Sequence, residues 1–168
     1  MKRIYLRNLE EKDAQFMLEW MHDPSIACFF RFDAMSMTEE KCIEYIRTAN
    51  SDEKSMHFAI ADETDEYLGT ISLKNIDRDK KEAEYAISTR KKAHGTGAAM
   101  AATKEILRIA FEELNLDRVY LNVLAENNRA NAFYKKVGFK PNISLTSDIH
   151  IEGKEKKLNW YFITKYLE

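Results

Sequence analysis

Cysteine is scarce in this sequence of 168 residues, and the patterns in which cysteine and histidine bind metals are missing. The only two cysteines, Cys28 and Cys42, fall in different predicted elements, which indicates free thiols in a reducing compartment rather than a disulfide framework. Neither a Cys-x-x-Cys pair nor a His-Glu-x-x-His motif occurs. We therefore predict that the protein holds no metal ion.

Long apolar runs and an excess of one charge are also missing. No apolar run approaches the ~20 residues that a membrane-spanning helix needs, and the apolar part of residues 1–7 is too short for a signal peptide. The chain carries 26 basic and 28 acidic side chains, a net charge of -2, so nothing favours a polyanionic partner. These absences predict a cytoplasmic protein without a membrane or nucleic-acid partner.

The sequence does contain hydrophobic residues in regular patterns, at 45% of the total, which suits the core of one domain over residues 1–168. Alternation predicts strands, and spacing of three to four residues predicts helices. The predicted strands cover 2–7, 56–61, 67–76, 82–88, 118–123, a segment from Phe139, and 156–165 after a turn at 152–153. The predicted helices are one from Asn8 that ends before Asp23-Pro24, one from a capping box at Ser36-x-x-Glu39, one over 98–114 and one around 130–137, with an irregular stretch over 25–35.

A basic turn with two glycines, over residues 90–99, joins a predicted strand to the helix that follows. The first N–H groups of a helix have no partner within it, and the helix dipole is positive there. Glycine lets such a backbone adopt positive φ and approach a ligand closely. Gly95 and Gly97 therefore indicate a phosphate or pyrophosphate site, although a lone Gly-x-Gly is also compatible with a solvated turn.

A second pattern follows this turn at the expected distance. Asn-x-x-Ala-x-x-x-Tyr-x-x-x-Gly-Phe runs from Asn127 to Phe139, and residues 92–97 read Lys-Ala-His-Gly-Thr-Gly. In this order the two patterns resemble the GCN5-related N-acetyltransferase (GNAT) family, whose phosphate loop reads Arg/Gln-x-x-Gly-x-Gly/Ala. The resemblance covers essentially the whole chain and is strongest to the branch with ribosomal-protein N-terminal, spermidine and amino-sugar acetyltransferases. Lys92 replaces the family's Arg or Gln, which keeps a charge but loses a planar donor group.

The resemblance implies an α/β (α+β) GNAT fold, with a mixed, mostly antiparallel central sheet of about seven strands and four helices. It implies acetyl-CoA as the cofactor, with the pyrophosphate on the amides of residues 93–98 and the pantetheine where strands splay apart near Ser88 and Val123. Asn127 is expected to hydrogen-bond the pantetheine. The cofactor-binding residues implied in this way are Ile87, Ser88, Lys92, Ala93, His94, Gly95, Thr96, Gly97, Ala98, Asn127, Arg129 and Ala130.

The same resemblance implies an N-acetyltransferase in which a primary amine attacks the thioester directly. Tyr134 is the expected general acid, since a phenol of pKa about 10 can protonate a leaving thiolate whose thiol has a pKa of about 8.5. Packing in the core is the alternative role for this tyrosine. Glu84 is the candidate base, with a solvated glutamate as the alternative, and Asn122 on the neighbouring strand is a candidate to polarise the amine or the carbonyl.

The sequence leaves the acceptor amine open. Residues 22–36 and 142–157 are expected to set specificity, with Phe30 and Arg31 as substrate contacts, because a ring can stack on a sugar or base and Arg can bind a phosphate or carboxylate. These residues favour an amino-sugar nucleotide or another anionic amine, whereas nearby acidic residues favour a polyamine, and a protein N-terminus is the third option. A homodimer also stays open. The rival function is a non-catalytic acetyl-CoA sensor with the same fold.

Overall fold

A computed structural model describes residues 3–151 and 153–165 of the chain, and its centre is one seven-stranded sheet. The strands are β1 Ile4–Asn8, β2 Met56–Asp62, β3 Tyr67–Asp77, β4 Glu82–Thr89, β5 Arg118–Leu124, β6 Lys140–Ile151 and β7 Lys154–Thr164. They lie in the order β1-β2-β3-β4-β5-β7-β6, and only the β4–β5 pair is parallel among the described strands. The predicted mixed, mostly antiparallel sheet is confirmed. Residue 152 of the predicted turn, and both ends of the predicted domain, lie outside the described residues.

Within those residues, five α-helices accompany the sheet. They are α1 Ala14–Met21, α2 Pro24–Ala27, α3 Glu39–Ser51, α4 Ala98–Arg108 and α5 Asn128–Val137. Short 3₁₀ turns cover Glu11–Asp13, Ala34–Ser36 and Lys91–Ala93, and α4 continues into a π-helical turn over Ile109–Glu113. In the part of the chain that the structure describes, no helix has the length and apolar character needed to cross a membrane.

Three helix starts differ from the sequence prediction. The first helix begins after Glu10 rather than Asn8, with a 3₁₀ turn that leads into α1 at Ala14. The Asp-Pro step ends α1, but it also starts α2, which lies in the stretch predicted to be irregular. The Asp23 side chain accepts a hydrogen bond from the Ser25 N–H at 3.0 Å, and Pro24 takes the first helical position, which its fixed φ favours. Thr38 caps α3, whereas Ser36, the predicted cap, ends a 3₁₀ turn instead. A two-residue shift of the cap leaves the predicted helix in place.

The two faces of the sheet are covered differently. On the back face, α4 and α5 pack over a large core that includes Ile71, Leu73, Tyr85, Ile106 and Tyr134. On the front face, α1 and α3 pack over β2 and β3, around Met17, Ile46, Ala59 and Tyr67. Burial alternates along β5, where Val119 and Leu121 are buried at the back while Tyr120 and Asn122 are half-buried at the front. The front face of β4, β5 and β7 is therefore left accessible beside these two helices.

A gap opens in the middle of the sheet. β4 and β5 pair only where Glu82–Glu84 lies beside Arg118–Tyr120. Beyond this point the two strands continue, over 85–89 and 121–124, without pairing to each other. The crossover that a parallel pair requires is supplied by α4. The facing edges therefore keep backbone N–H and C=O groups available in the interior of the sheet.

Candidate active site

The glycine turn leads directly into α4 and adopts a conformation that favours glycine. Gly95 and Gly97 have φ values of +76° and +85°, in the left-handed region. The N–H groups already bonded within the turn are those of Ala93, His94, Thr96 and Ala98. Those of Gly95, Gly97, Ala99 and Met100 have no acceptor among the described residues. These four unbonded N–H groups lie at the start of α4, where they can bind an anion.

A buried arginine fixes the turn to the rest of the fold. Arg90, 7% exposed, donates two hydrogen bonds to the Glu19 carboxylate at 2.7 and 2.8 Å and one to the carbonyl of Tyr67 at 2.8 Å. Lys92 forms an ion pair with Glu66, which also accepts from Arg90. The ammonium of Lys92 is therefore held beside the turn by a carboxylate, and the backbone supplies the free donors.

His94 links the glycine turn to the start of α5. Arg129 lies 2.6 Å from the His94 Nδ1 through its Nη1, so Nδ1 is the acceptor and the proton is assigned to Nε2. Burial lowers the pKa of His94, and the nearby Arg129 and Lys91 lower it further. A neutral imidazole at pH 7 is the form that can accept this hydrogen bond. The contact brings the two sequence motifs together in space.

The first residue of the second motif caps α5. Asn127 Oδ1 accepts a hydrogen bond from the Ala130 N–H at 3.2 Å, as an N-cap side chain does. Its Nδ2 group has no acceptor among the described residues. The oxygen of Asn127 is therefore used by the helix, and the amide nitrogen is the part of this side chain left for a ligand. Gly138 ends the same helix with φ +117°, as the pattern predicts.

Asn131, one turn further along α5, is a buried hydrogen-bond hub that the sequence did not single out. Its Nδ2 donates to the carbonyl oxygens of Leu124 and Asn127 at 3.0 and 2.7 Å. Its Oδ1 accepts from Asn159 and Tyr161 of β7 at 3.0 and 2.7 Å. All four hydrogen-bonding positions of the amide are used, which ties the start of α5 to β5 and β7.

Tyr134 lies beneath the point where the strands diverge. It is 8% exposed and packs perpendicular to Tyr85, at 5.8 Å between ring centroids, and close to Phe139 and Tyr161 at 5.9 and 6.2 Å. Tyr85 follows directly after the last residue of β4 that pairs with β5. The Tyr134 hydroxyl has no hydrogen-bond partner in the described part of the chain. It is not fully buried, so solvent or a ligand can reach it. Burial of the ring raises the pKa of Tyr134 above its ordinary value, so the phenol carries its proton at neutral pH.

The front face collects three of the predicted substrate-side residues. Arg31 donates from Nη2 to Oδ1 of Asn122, so the loop after α2 reaches across to β5. Glu84, on the same face, is bound by Lys74 at 3.3 Å and by Asn75 Nδ2 at 3.4 Å. The structure therefore gathers all three on one face but gives each side chain a partner within the protein.

Other predicted residues occupy different surroundings. Ile87 and Ser88 lie in the part of β4 that faces the gap, and the Ile87 side chain packs against the back core. Phe30 packs against Trp20 at 5.3 Å and stacks on Phe32 at the same distance, which anchors the loop to α1. Phe32, 47% exposed, is the ring of this pair that a ligand can reach more easily.

The alternation of β5 and β7 could have revealed two further front-face aromatics. In β5 the buried residues alternate with Tyr120 and Asn122, and Trp160 lies directly opposite Asn122 in the β5–β7 register. The rings of Tyr120 and Trp160 lie 6.4 Å apart and 30° from parallel. Sequence pattern places each ring on a face, but only the pairing of β5 with β7 brings the two together.

Known proteins resemble this chain in sequence and in fold. Residues 3–140 match the family model described as an acetyltransferase (GNAT) domain. Spermidine N(1)-acetyltransferase of Vibrio cholerae is 25% identical over 170 residues, which cover 98% of this chain and 96% of the relative. The putative ribosomal N-acetyltransferase YdaF of Bacillus subtilis is 30% identical over 97 residues, 58% of this chain and 53% of the relative. The crystal structure of the Vibrio cholerae spermidine N-acetyltransferase with CoA and spermine has a TM-score of 0.85 at 23% identity, covering 96% of this chain and 95% of that one.

Proposed function

Since the chain belongs to the GNAT acetyltransferase family and is an acetyl-CoA-dependent N-acetyltransferase, we propose that it acetylates a primary amine by direct attack, with Tyr134 as the general acid. The observation that carries this proposal is the Tyr134 hydroxyl. Its ring is enclosed by other aromatic rings below the strand gap, yet the hydroxyl lacks a partner among the described residues. The hydroxyl is the accessible end of a buried ring, so it can bond a group that arrives with the substrate.

The residues around the gap fit acetyl-CoA. The free N–H groups of Gly95 and Gly97 suit a pyrophosphate, and the open edges of β4 and β5 suit the amides of a pantetheine arm. Asn127 keeps its Nδ2 group available beside the same gap. When bound, acetyl-CoA supplies an electrophilic thioester carbonyl and a thiolate leaving group.

Tyr134 can hold and release the proton that the leaving sulfur needs. Because burial raises its pKa, the phenol stays protonated through neutral and mildly alkaline pH. A protonated donor stabilises the negative charge that develops on sulfur in the transition state. The surrounding rings of Tyr85, Phe139 and Tyr161 restrict the phenol to one position and exclude water from its sides.

The acceptor amine is proposed to approach from the front face. It must lose a proton before or during attack, because alkylamines are mostly protonated at pH 7. Glu84 is the proposed acceptor of that proton, directly or through a water, once the amine displaces its contact with Lys74. Asn122 is proposed to orient the amine through its side-chain amide, which Arg31 already positions.

Three classes of acceptor remain in this proposal: an amino sugar, a polyamine and a protein N-terminus. A relative named for spermidine supports a polyamine. The aromatic rings and the arginine of the front face support a sugar-like acceptor. An exposed groove along the front face is what a peptide would require.

The test is thiol release from acetyl-CoA with a panel of spermidine, amino sugars and short peptides, run on the wild type and on Tyr134→Phe. We expect Tyr134→Phe to bind acetyl-CoA normally and to lower kcat about 100-fold, as loss of a general acid does. Tyr5→Phe, on the exposed edge strand β1, is the matched control. Equal turnover in Tyr134→Phe contradicts the assigned role, and acetyl-CoA binding without thiol release for any amine supports the sensor.

A further inference from the structure

A cleft of about 310 Å³ opens on the front face at the end of the sheet where β4 and β5 are still paired. Tyr120 and Trp160 form one wall of this cleft, which we call the front cleft. Trp160 lies directly opposite Asn122 in the β5–β7 register. The front cleft therefore adjoins the place where the acceptor amine is proposed to react, and its size is within the range of small-molecule sites.

The two rings offer a fixed apolar surface. Trp160 is held in orientation by a hydrogen bond from its Nε1 to Ser147 Oγ at 2.9 Å. Tyr120 lies 30° from parallel to it, at 6.4 Å between centroids. Both side chains are half-buried, so each keeps part of its ring accessible. Such a surface suits the apolar face of another ring.

The polar lining of the front cleft is balanced in charge. Arg118 and Glu82 both line it, and neither forms an ion pair within the described residues. The Arg118 guanidinium lies 4.6 Å from the ring centroid of Phe162, and its Nε is a buried nitrogen without a hydrogen-bond partner among those residues. The guanidinium and the carboxylate therefore have no ion-pair partner here, and the buried Nε of Arg118 is the atom for which the lack of a hydrogen bond is costly.

The opposite wall comes from an interruption of β6. Pairing with β7 breaks between Pro141 and Thr146, so the intervening residues leave the ladder. Asn142 and Ser144 of this segment line the front cleft, and Ser144 Oγ donates to Asn142 Oδ1 at 2.6 Å. The bulge adds a hydroxyl and an amide to the charged pair without adding a net charge.

We propose that the front cleft binds the neutral, hydroxyl-rich ring of an amino sugar, stacked on Trp160, with its hydroxyls bonded to Glu82 and Arg118. Hydroxyl groups both donate and accept, so they can satisfy a carboxylate and a guanidinium together. A polyamine would be disfavoured because its cations would be repelled by Arg118, which has no salt-bridge partner. A phosphate would be disfavoured because Glu82 would repel it. The inference rests on the proposed acetylation of an amine at Asn122 and names the class of that amine.

Binding can be tested without turnover. Only Trp20 and Trp160 are present, and Trp20 is 5% exposed, so intrinsic fluorescence reports mainly on changes at Trp160. Methyl glycosides of glucose, galactose and their 2-acetamido forms, which carry no reactive amine, are titrated into the full chain. We expect a saturable change in the millimolar range for the wild type, and calorimetric titration should show that Trp160→Leu, which lacks the fluorescent reporter, no longer binds the glycosides. Absence of a saturable change with every glycoside overturns the proposal, as does an equal glycoside affinity of Trp160→Leu in the calorimeter.

Kinetics provide the second test. Trp160→Leu and Glu82→Gln should each raise the KM for an amino sugar at least 10-fold, while the KM for acetyl-CoA stays unchanged. Tyr5→Leu, an exposed aromatic on β1, is the matched control. One outcome refutes the sugar site but keeps the proposed acetyl transfer. In it, the protein acetylates spermidine and no amino sugar, and neither Trp160→Leu nor Glu82→Gln changes the KM for spermidine. Glycoside binding that needs Trp160, without acetylation of any amine, supports the sugar site and refutes the proposed transfer.

Discussion

The cofactor side and the acceptor side of the site are built in opposite ways. The cofactor side comprises the glycine turn, the start of α5 and Tyr134, and the acceptor side comprises the front face of β4, β5 and β7. On the cofactor side, buried groups such as Arg90 and Asn131 are saturated by the protein, which leaves a few atoms free at fixed positions. On the acceptor side, rings and charged groups are half-exposed, and Arg118 and Glu82 form no ion pair within the described residues. The difference suggests that the cofactor side fixes the reaction and the acceptor side selects the amine.

The largest expected effect is loss of acetyl-CoA binding in Gly97→Glu. A side chain at φ +85° is strained by ~1–2 kcal/mol, and its carboxylate would lie where the free N–H groups bind an anion. We expect the Kd for acetyl-CoA, measured by calorimetry, to rise at least 100-fold. Gly153→Glu, at φ +77° in open space on the β6–β7 turn, has a similar backbone strain far from the cofactor side. Equal losses in both variants would assign the effect to strain rather than to the anion site.

The next largest effect tests whether Asn131, whose hydrogen-bonding positions are all used within the protein, positions Tyr134. Asn131→Leu keeps the volume but leaves four partners unpaired, which should lower the free energy of unfolding by ~1–3 kcal/mol. We expect kcat to fall about 10-fold with the KM for acetyl-CoA nearly unchanged, since Tyr134 and the α5 cap shift. Asn128→Leu, exposed on the same helix, serves as control. If kcat falls only in proportion to the fraction of Asn131→Leu that is folded, Asn131 has a purely structural role.

A pH profile sharpens the comparison without mutation. The raised pKa of Tyr134 keeps its proton in place, so the cofactor side should not lose activity as the solution becomes alkaline. On the acceptor side, the amine becomes reactive as it loses its proton. We therefore expect kcat to rise with pH and to show no descending limb up to pH ~10. A decline centred near pH 9 that disappears in Tyr134→Phe would contradict the raised pKa.

The smallest expected effect lies at the edge of the acceptor side. Phe32→Ala removes an exposed ring that stacks on Phe30, and its effect on stability should stay within ~0.5 kcal/mol. We expect a change of two- to five-fold, at roughly 0.4–1 kcal/mol, in the KM for the acceptor alone. Thermal unfolding and steady-state kinetics measure both quantities. A change in the KM for acetyl-CoA would contradict the claim that the acceptor side acts only on the amine.

Local patterns were sufficient for much of the fold. The motif from Asn127 to Phe139 predicts α5 and its glycine end, and strand alternation predicts every strand of the sheet. The short helix α2 was missed because an Asp-Pro step can end one helix and cap the next. The start of α3 was misplaced because Ser36 and Thr38 are both good caps, and tertiary packing chooses between them.

The site was less predictable, since its contacts join distant segments. The motifs identify Gly95, Gly97 and Tyr134 because each occupies a fixed position in a pattern. Asn131 has no such signal, and strand alternation assigns Trp160 only to a face of the sheet, because the partners of both residues lie on strands whose neighbours are set by the sheet order.

The sequence separation between Arg90 or Asn131 and its hydrogen-bond partners also affects the order in which the nascent protein folds. Arg90 pairs with a residue 71 positions earlier in the chain, whereas Asn131 bonds with Tyr161, which lies 30 positions later. During synthesis the partner of Arg90 therefore leaves the ribosome before Arg90 does, whereas the partner of Asn131 leaves it after Asn131. We expect the nascent chain to form its anion-binding turn first and to position Tyr134 only after β7 has joined the sheet. The ability to bind the acetyl donor would thus precede the ability to use it.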